Sequence, residues 1–155
     1  MQIRALQRED IDPVLFLCAL MHRESPNYRT APMDPEKLRR LGETILAQPE
    51  QFCGLVAWQQ ARLVGMFAGY VSEPFFGPGV VAADLALFVP RDRRGGVMAA
   101  ALIGRFEAWA RARGASAVQL GITTGVQQER TAALYQRLGF APFGMVCRKT
   151  LQEDR

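Results

Sequence analysis

The sequence predicts an α/β domain of the α+β mixed type, with a mixed sheet and helices on both of its faces. Three observations carry that expectation. Strand-like and helix-like stretches interleave, several strands in succession being followed by strand, helix, strand, helix, strand. About half of the 155 residues are apolar, enough for a compact domain with a core that needs neither metal nor disulfide. No internal repeat, linker or low-complexity stretch interrupts the pattern, so one domain over residues 1–155 is expected.

The elements follow in order. Gln2 to Leu6 forms a short strand, and Asp10 or Asp12 with Pro13 starts a helix that runs to about His22. Arg23 to Met33 reads as loop. Asp34 is an N-cap with Pro35 at the first helical position, and Leu38, Leu41, Ile45 and Leu46 share one helical face until Pro49 stops it. Cys53 to Trp58 and Leu63 to Val71 then read as a hairpin around Gln59 and Gln60, with Gly65 as a bulge candidate. A strand over Val80 to Val89 ends at Pro90. An Arg- and Gly-rich turn opens an amphipathic helix with Met98, Leu102, Phe106 and Trp109 at helical spacing, closed by Gly114. Ala117 to Ile122 is a strand, Thr124 to Gln127 a loop, and Glu129 to Leu138 a helix capped by Gly139; Met145 to Leu151 returns as a final strand.

Composition excludes several classes. Nineteen Lys and Arg against fifteen Asp and Glu leave a net charge of +4, which suits an anionic ligand but not the dense basic stripe of a nucleic-acid binder. Cys18, Cys53 and Cys147 are odd in number and far apart inside apolar stretches, as reduced thiols in a cytoplasmic protein would be, and imply no metal site. The apolar run Val14 to Met21 is too short to span a bilayer and follows acidic Glu9, Asp10 and Asp12, so neither a signal peptide nor a membrane anchor is expected.

The segment Val89-Pro90-Arg91-Asp92-Arg93-Arg94-Gly95-Gly96-Val97-Met98 puts arginines and two glycines between a strand and a helix. Unbonded N–H groups of a first helical turn, the positive end of the helix dipole and glycines that permit close approach together make a pyrophosphate cradle. It is not a P-loop, lacking Gly-Lys-Ser or Gly-Lys-Thr, and it lacks the three-glycine dinucleotide fingerprint. The bland alternative is an Arg-rich turn that merely starts a helix.

This segment resembles the pyrophosphate motif of the GNAT superfamily of acyl-CoA-dependent N-acetyltransferases: Arg or Gln, two residues, Gly, one residue, Gly or Ala. Arg93, Arg94, Gly95, Gly96 and Val97 match it, whereas Met98, followed by Ala99, stands at its last position and crowds it. Asp84-Leu85-Ala86-Leu87-Phe88-Val89 looks like the family's central splayed strand. Gln128-Glu129-Arg130-Thr131-Ala132-Ala133-Leu134-Tyr135-Gln136-Arg137-Leu138-Gly139-Phe140 is similar to its C-terminal motif, with Gln128 where Asn is common. The resemblance covers nearly the whole chain. It implies a central, mostly antiparallel twisted sheet and acetyl-CoA as cosubstrate, held by Phe88, Val89, Arg93 to Ala99 and Gln128.

Transfer of an acetyl group to an amine needs a neutral amine, a polarised thioester carbonyl and a protonated leaving thiolate. An ammonium with a pKa of about 10 needs a base or water chain. Backbone N–H groups near Phe88 and Val89 would serve the carbonyl. The resemblance assigns the thiolate's proton to Tyr135; the alternative is a packing role, with Tyr135 as the C3 residue of a helix whose C″ residue is Phe140. Asp84 is the first candidate base, with Glu73 and Glu24 behind it and an ordered water chain as the alternative.

In this family the loop after the first helix overhangs the acceptor site, which points to His22, Glu24 and Tyr28 as acceptor contacts, with Ser25 beside them; His22 also reads simply as a helix-end residue. The acceptor is a small-molecule or peptide amine, whether antibiotic, polyamine, amino acid or protein N-terminus. Transfer of a longer acyl chain and a non-catalytic CoA-binding module stay open, and exposed C-terminal strands leave a homodimer open. Neither nucleic acid nor membrane is an expected partner.

Overall fold

Strand β1 (Gln2–Ala5) leads through a 3-10 turn at Arg8–Asp10 into helix α1 (Ile11–Glu24). The computed structural model describes residues 1–151. Helix α2 (Pro35–Ala47) starts as its sequence dictates: the Asp34 side chain accepts the Lys37 N–H, and Pro35 occupies the first turn, where its missing N–H would have had no helical partner. Strands β2 (Phe52–Gln59), β3 (Arg62–Ser72) and β4 (Val81–Phe88), helix α3 (Met98–Ala112), strand β5 (Val118–Gln119) and helix α4 (Gln128–Arg137) follow. The strands lie side by side in chain order, β1 to β4 antiparallel and β5 parallel to β4.

Both faces of the sheet are covered. Phe67 packs against Leu102, Ile103 and Phe106 of α3, with the Phe67 and Phe106 rings 4.5 Å apart. Leu17 of α1 packs with Val56, Met66 and Phe88 on the other face. That double cover explains why β3 is a nearly unbroken apolar run and not an alternating one. Near the N-terminus the fully buried Asp10 accepts two bonds from Arg4, at 2.6 and 2.8 Å, one from the Gln7 N–H and one from Trp58 Nε1, which together satisfy a charge that burial alone would penalise.

Gly65 has a different task from the one expected. The extra residue in the β2–β3 ladder is its neighbour Val64, since Ala57 pairs with Gly65 and Trp58 with Leu63. Gly65 makes room for α3: a Cβ there would sit 2.9 Å from Met98 Sδ. A second bulge lies in β4, where Ala68 pairs with Ala86 and Gly69 with Asp84, leaving Leu85 as the extra residue.

Two expectations fail at the far edge. Strand β5 holds only two residues, not the stretch 117–122, and Met145 to Leu151 forms no strand. The edge explains both. Beyond Gln119 the backbone is already engaged: Gly121 donates to Asp84 Oδ1, and the carbonyls of Gly121, Thr123 and Thr124 accept from Tyr135, Asn27 and Ser25 side chains. A final strand would find those ladder groups taken, and Phe143, Met145 and Val146 remain 86%, 88% and 85% exposed.

Candidate active site

The bulge at Leu85 and the short β5 open the sheet between β4 and the segment 120–124. Parallel pairing stops after Ala83 with Gln119, and Asp84 fills the widening gap by accepting the Gly121 N–H at 2.9 Å. A cavity of about 900 Å³ runs through this opening. That size falls within the range of small-molecule and cofactor sites. Asp84, Leu85, Phe88, Val89, Arg93, Arg94, Gly95, Gly96, Met98, Ala99 and Tyr135 line it, as do His22, Glu24 and Tyr28.

The basic turn bends as its glycines permit. After the 3-10 turn at Arg91–Arg93, Gly95 takes a φ of +92°, and α3 begins three residues later. The intrahelical ladder starts with Ala101 N to the Val97 carbonyl at 2.9 Å, so the amides of Met98 to Ala100 precede it, at the positive end of α3. The Met98 side chain does not crowd that site, as had been expected. It is buried against Gly65, and only its backbone belongs to the turn. Space at Gly96 is open, while a Cβ on Gly95 would meet Arg130 Nη2 at 2.9 Å.

Arg94 is turned inward. Nε donates to the Val89 carbonyl at 2.8 Å, Nη2 donates to Glu24 Oε2 at 2.8 Å, and Nη1 bonds Glu24 Oε1. Its guanidinium lies 5.5 Å from the Phe88 ring centroid. The side chain is therefore a strut between the turn and the end of α1, and Glu24 is spoken for by Arg94, whose hydrogen bonds hold its carboxyl below the usual range. Arg93 stays exposed, reaching Gln59 only at 3.4 Å.

The segment after α1 is sewn to the loop after β5. Ser25, fully buried, donates to the Thr124 carbonyl at 2.6 Å and accepts the Tyr28 N–H, Asn27 Nδ2 donates to the Thr123 carbonyl at 2.7 Å, and the Tyr28 and Thr123 hydroxyls are bonded. His22 Nε2 donates to the Ala31 carbonyl at 2.6 Å and so pins the loop as well as lining the cavity.

Helix α4 ends in a Schellman motif, with Phe140 N bonded to the Tyr135 carbonyl, Gly139 N to the Gln136 carbonyl, and a φ of +91° at Gly139. The Tyr135 and Phe140 rings do pack, at 5.8 Å, yet the Tyr135 hydroxyl also reaches the Gly121 carbonyl at 3.2 Å. Packing and a polar role thus coexist. Burial, reinforced by the Asp84 charge, raises the Tyr135 pKa, and burial raises that of Asp84 against the bond from Gly121.

Three expected residues lie elsewhere. Val97 and Gln128 do not line the cavity, and Glu73 sits exposed beyond β3. Gln127, Arg130, Thr131 and Leu134 line it instead. Sequence reasoning missed Arg130 and Thr131, although their spacing of three and four from Gln127 and Leu134 marks one helical face. Among the described residues no three His, Cys, Asp or Glu side chains cluster as a metal site requires. No described helix is long and apolar enough to cross a membrane.

Comparison with known proteins agrees with this geometry. Among solved structures, an acetyltransferase from Trypanosoma brucei is 21% identical with a TM-score of 0.75, covering 97% of this chain and 99% of its own. An aminoglycoside acetyltransferase from an uncultured soil metagenomic sample is 23% identical with a TM-score of 0.73, covering 97% and 98%. Glucosamine-6-phosphate N-acetyltransferase from Arabidopsis thaliana shares 14% identity at a TM-score of 0.77, again covering 97% and 98%. No curated protein matches in sequence. At these identities the likeness establishes the fold. The model of the acetyltransferase (GNAT) family matches residues 16–140, most of the chain, from within α1 to just past α4, and the chain belongs to that family.

Proposed function

We propose that this chain, acting as a single domain, is an N-acetyltransferase that moves an acetyl group from acetyl-CoA to a primary amine by direct attack in a ternary complex. The observation that carries the reading is the continuous opening from the glycine turn, past Tyr135 and Asp84, to the loop after α1. The residues present suit the cosubstrate: a turn with φ of +92° at Gly95, open space at Gly96, and a helix N-terminus flanked by Arg93 and Arg130 match a pyrophosphate. Bound there, acetyl-CoA supplies an activated thioester.

The chain's own groups divide the remaining work. Arg93, Arg130 and the amides of Gly95, Gly96, Met98 and Ala99 hold the phosphates. Backbone N–H groups of Phe88 and Val89 polarise the thioester carbonyl. Tyr135, protonated at neutral pH as any tyrosine is and held at the Gly121 carbonyl, is the hydroxyl that donates its proton to the leaving thiolate, whose conjugate thiol has a pKa of about 8.5. Asp84, with its raised carboxyl pKa, takes the proton of the incoming ammonium, directly or through water. His22 and Tyr28 shape the acceptor loop. Burial raises the thiol of Cys18 to about 11 and that of Cys53 to about 12, in keeping with inert reduced thiols in a cytoplasmic protein.

Isothermal titration with acetyl-CoA, with ATP and NAD as controls, tests the cosubstrate, and thiol release on adding an amine tests transfer. Binding of acetyl-CoA alone followed by amine-dependent thiol release is expected. Absence of acetyl-CoA binding sinks the reading; binding without release for any amine points to a module that keeps the ligand and lacks turnover.

A further inference from the structure

The end of the cavity away from the basic turn differs in character. Between Val89 and Leu85 the chain travels back along β4 by about 13 Å, at roughly 3.3 Å per residue. There the floor is low, because Ala68 and Ala86 pair in register and neither side chain rises far from the sheet. Leu15 and Met21 of α1, Leu38 and Leu41 of α2, and the bulged Leu85 add apolar surface to the cavity lining. Leu41 is 37% and Leu85 45% exposed, an uncovered apolar surface that burial against a ligand would stabilise.

Charge in the same cavity is unsuited to a polycation. Its acidic lining residues are Glu24, Asp34 and Asp84, and its basic ones Lys37, Arg93, Arg94, Arg130 and Arg137. Glu24 is neutralised by Arg94, and Asp34 accepts the Lys37 N–H as cap of α2. Among the described residues lining the cavity, Asp84 is then the one carboxylate bonded neither to a cation nor as a helix cap. One carboxylate matches one ammonium. With Arg94 tied to Glu24, and Arg93 and Arg130 assigned to the phosphates, the lining offers no second carboxylate for a further positive charge on an acceptor.

We infer that the acceptor is a monoamine with an apolar body, of the alkylamine or arylalkylamine class, whose single ammonium meets Asp84 while its body covers the apolar lining that includes Leu41 and Leu85. This rests on the N-acetyl transfer reading and narrows it, and it sets this chain apart from the aminoglycoside acetyltransferase that shares its fold.

The test compares 2-phenylethylamine, spermidine and kanamycin as acceptors in the thiol-release assay, with acetyl-CoA affinity measured separately by titration. The monoamine should exceed both polycations in kcat/KM by at least about tenfold, the scale on which a well-filled apolar pocket discriminates. Leu41→Glu, on the exposed side of α2, should lower kcat/KM for 2-phenylethylamine by about tenfold and narrow its margin over spermidine, leaving acetyl-CoA affinity unchanged. A polycation used as well as or better than the monoamine, or a preference for octanoyl-CoA with the amines undiscriminated, overturns the inference alone, whereas acetyl-CoA binding with no acceptor used overturns it together with the turnover reading. Failure to bind acetyl-CoA overturns it together with the transferase reading.

Discussion

Asp84 and Tyr135 hold opposite sides of one residue: Gly121 donates its N–H to the Asp84 carboxylate at 2.9 Å, and its carbonyl accepts the Tyr135 hydroxyl at 3.2 Å. Residues 51 positions apart in sequence are thereby set to either side of the gap beside β4. The two are also electrically linked, because the Asp84 charge makes the Tyr135 hydroxyl harder to ionise.

Tyr135→Phe keeps the ring packed on Phe140 and removes only the hydroxyl. Turnover should fall by about 100-fold, the lower range for loss of a positioned acid. The cost in stability should be about 1 kcal/mol, that of one hydrogen bond. Steady-state kinetics with parallel acetyl-CoA titration checks it, and full activity with unaltered affinity would leave Tyr135 a packing residue.

The pKa of Asp84 is raised by burial, so in the folded state it binds its proton more tightly than in the unfolded chain. As pH rises from the ordinary carboxylate range through the raised native value, the native state loses stability relative to the unfolded one. Asp84→Asn, which keeps an oxygen for the Gly121 N–H and cannot charge, should melt no lower than the parent at pH 7. Wild-type kcat/KM should rise with pH along a limb that this variant lacks. A limb that survives the substitution moves the base elsewhere.

The two glycines of the turn should separate fold from ligand. Gly95→Ala places a Cβ at a φ of +92° and against Arg130, and should destabilise by about 1 to 2 kcal/mol. Gly96→Phe enters open space, so its melting temperature should stay within a few degrees of the parent while acetyl-CoA affinity drops at least tenfold. Unchanged affinity in Gly96→Phe places the ligand elsewhere.

Glu24→Gln removes the partner of a partly buried Arg94 and should cost about 2 kcal/mol in urea denaturation at pH 7. Glu24 has a lowered native pKa, caused first by its hydrogen bonds from Arg94. Its contribution is thus fully present above the unfolded carboxylate's pKa of about 4.3 and lost as pH falls through the lower native value. The variant should lose less stability than the parent on acidification over that window. Equal acid sensitivity would show that the pair contributes little.

Helix α2 was legible because its signals are local: Asp34, Pro35 and the spacing of Leu38, Leu41 and Ile45 need no distant partner. The glycine turn and the Gly139 cap were legible for the same reason, since each is a demand of a few consecutive residues on their own backbone. The directions of Arg94 and Met98 were not. Both lie in the turn by sequence, yet one bonds a carboxylate 70 residues away and the other fills a space left by Gly65.

The sequence by itself determined the order of strands and helices as far as α4, the basic turn at the head of α3 and the presence of Tyr135 before a capping glycine, because hydrophobic period, caps and turn residues act over a few positions. Only the tertiary structure decided that β5 would stop after Gln119, that the C-terminal apolar segment would stay unpaired, and that Arg130 would join the turn in place of Gln128. Those outcomes depend on which backbone groups at the sheet edge are already bonded by Asp84, Tyr135, Ser25 and Asn27. Competition for hydrogen bonds between distant parts of the chain leaves no periodic mark on the sequence.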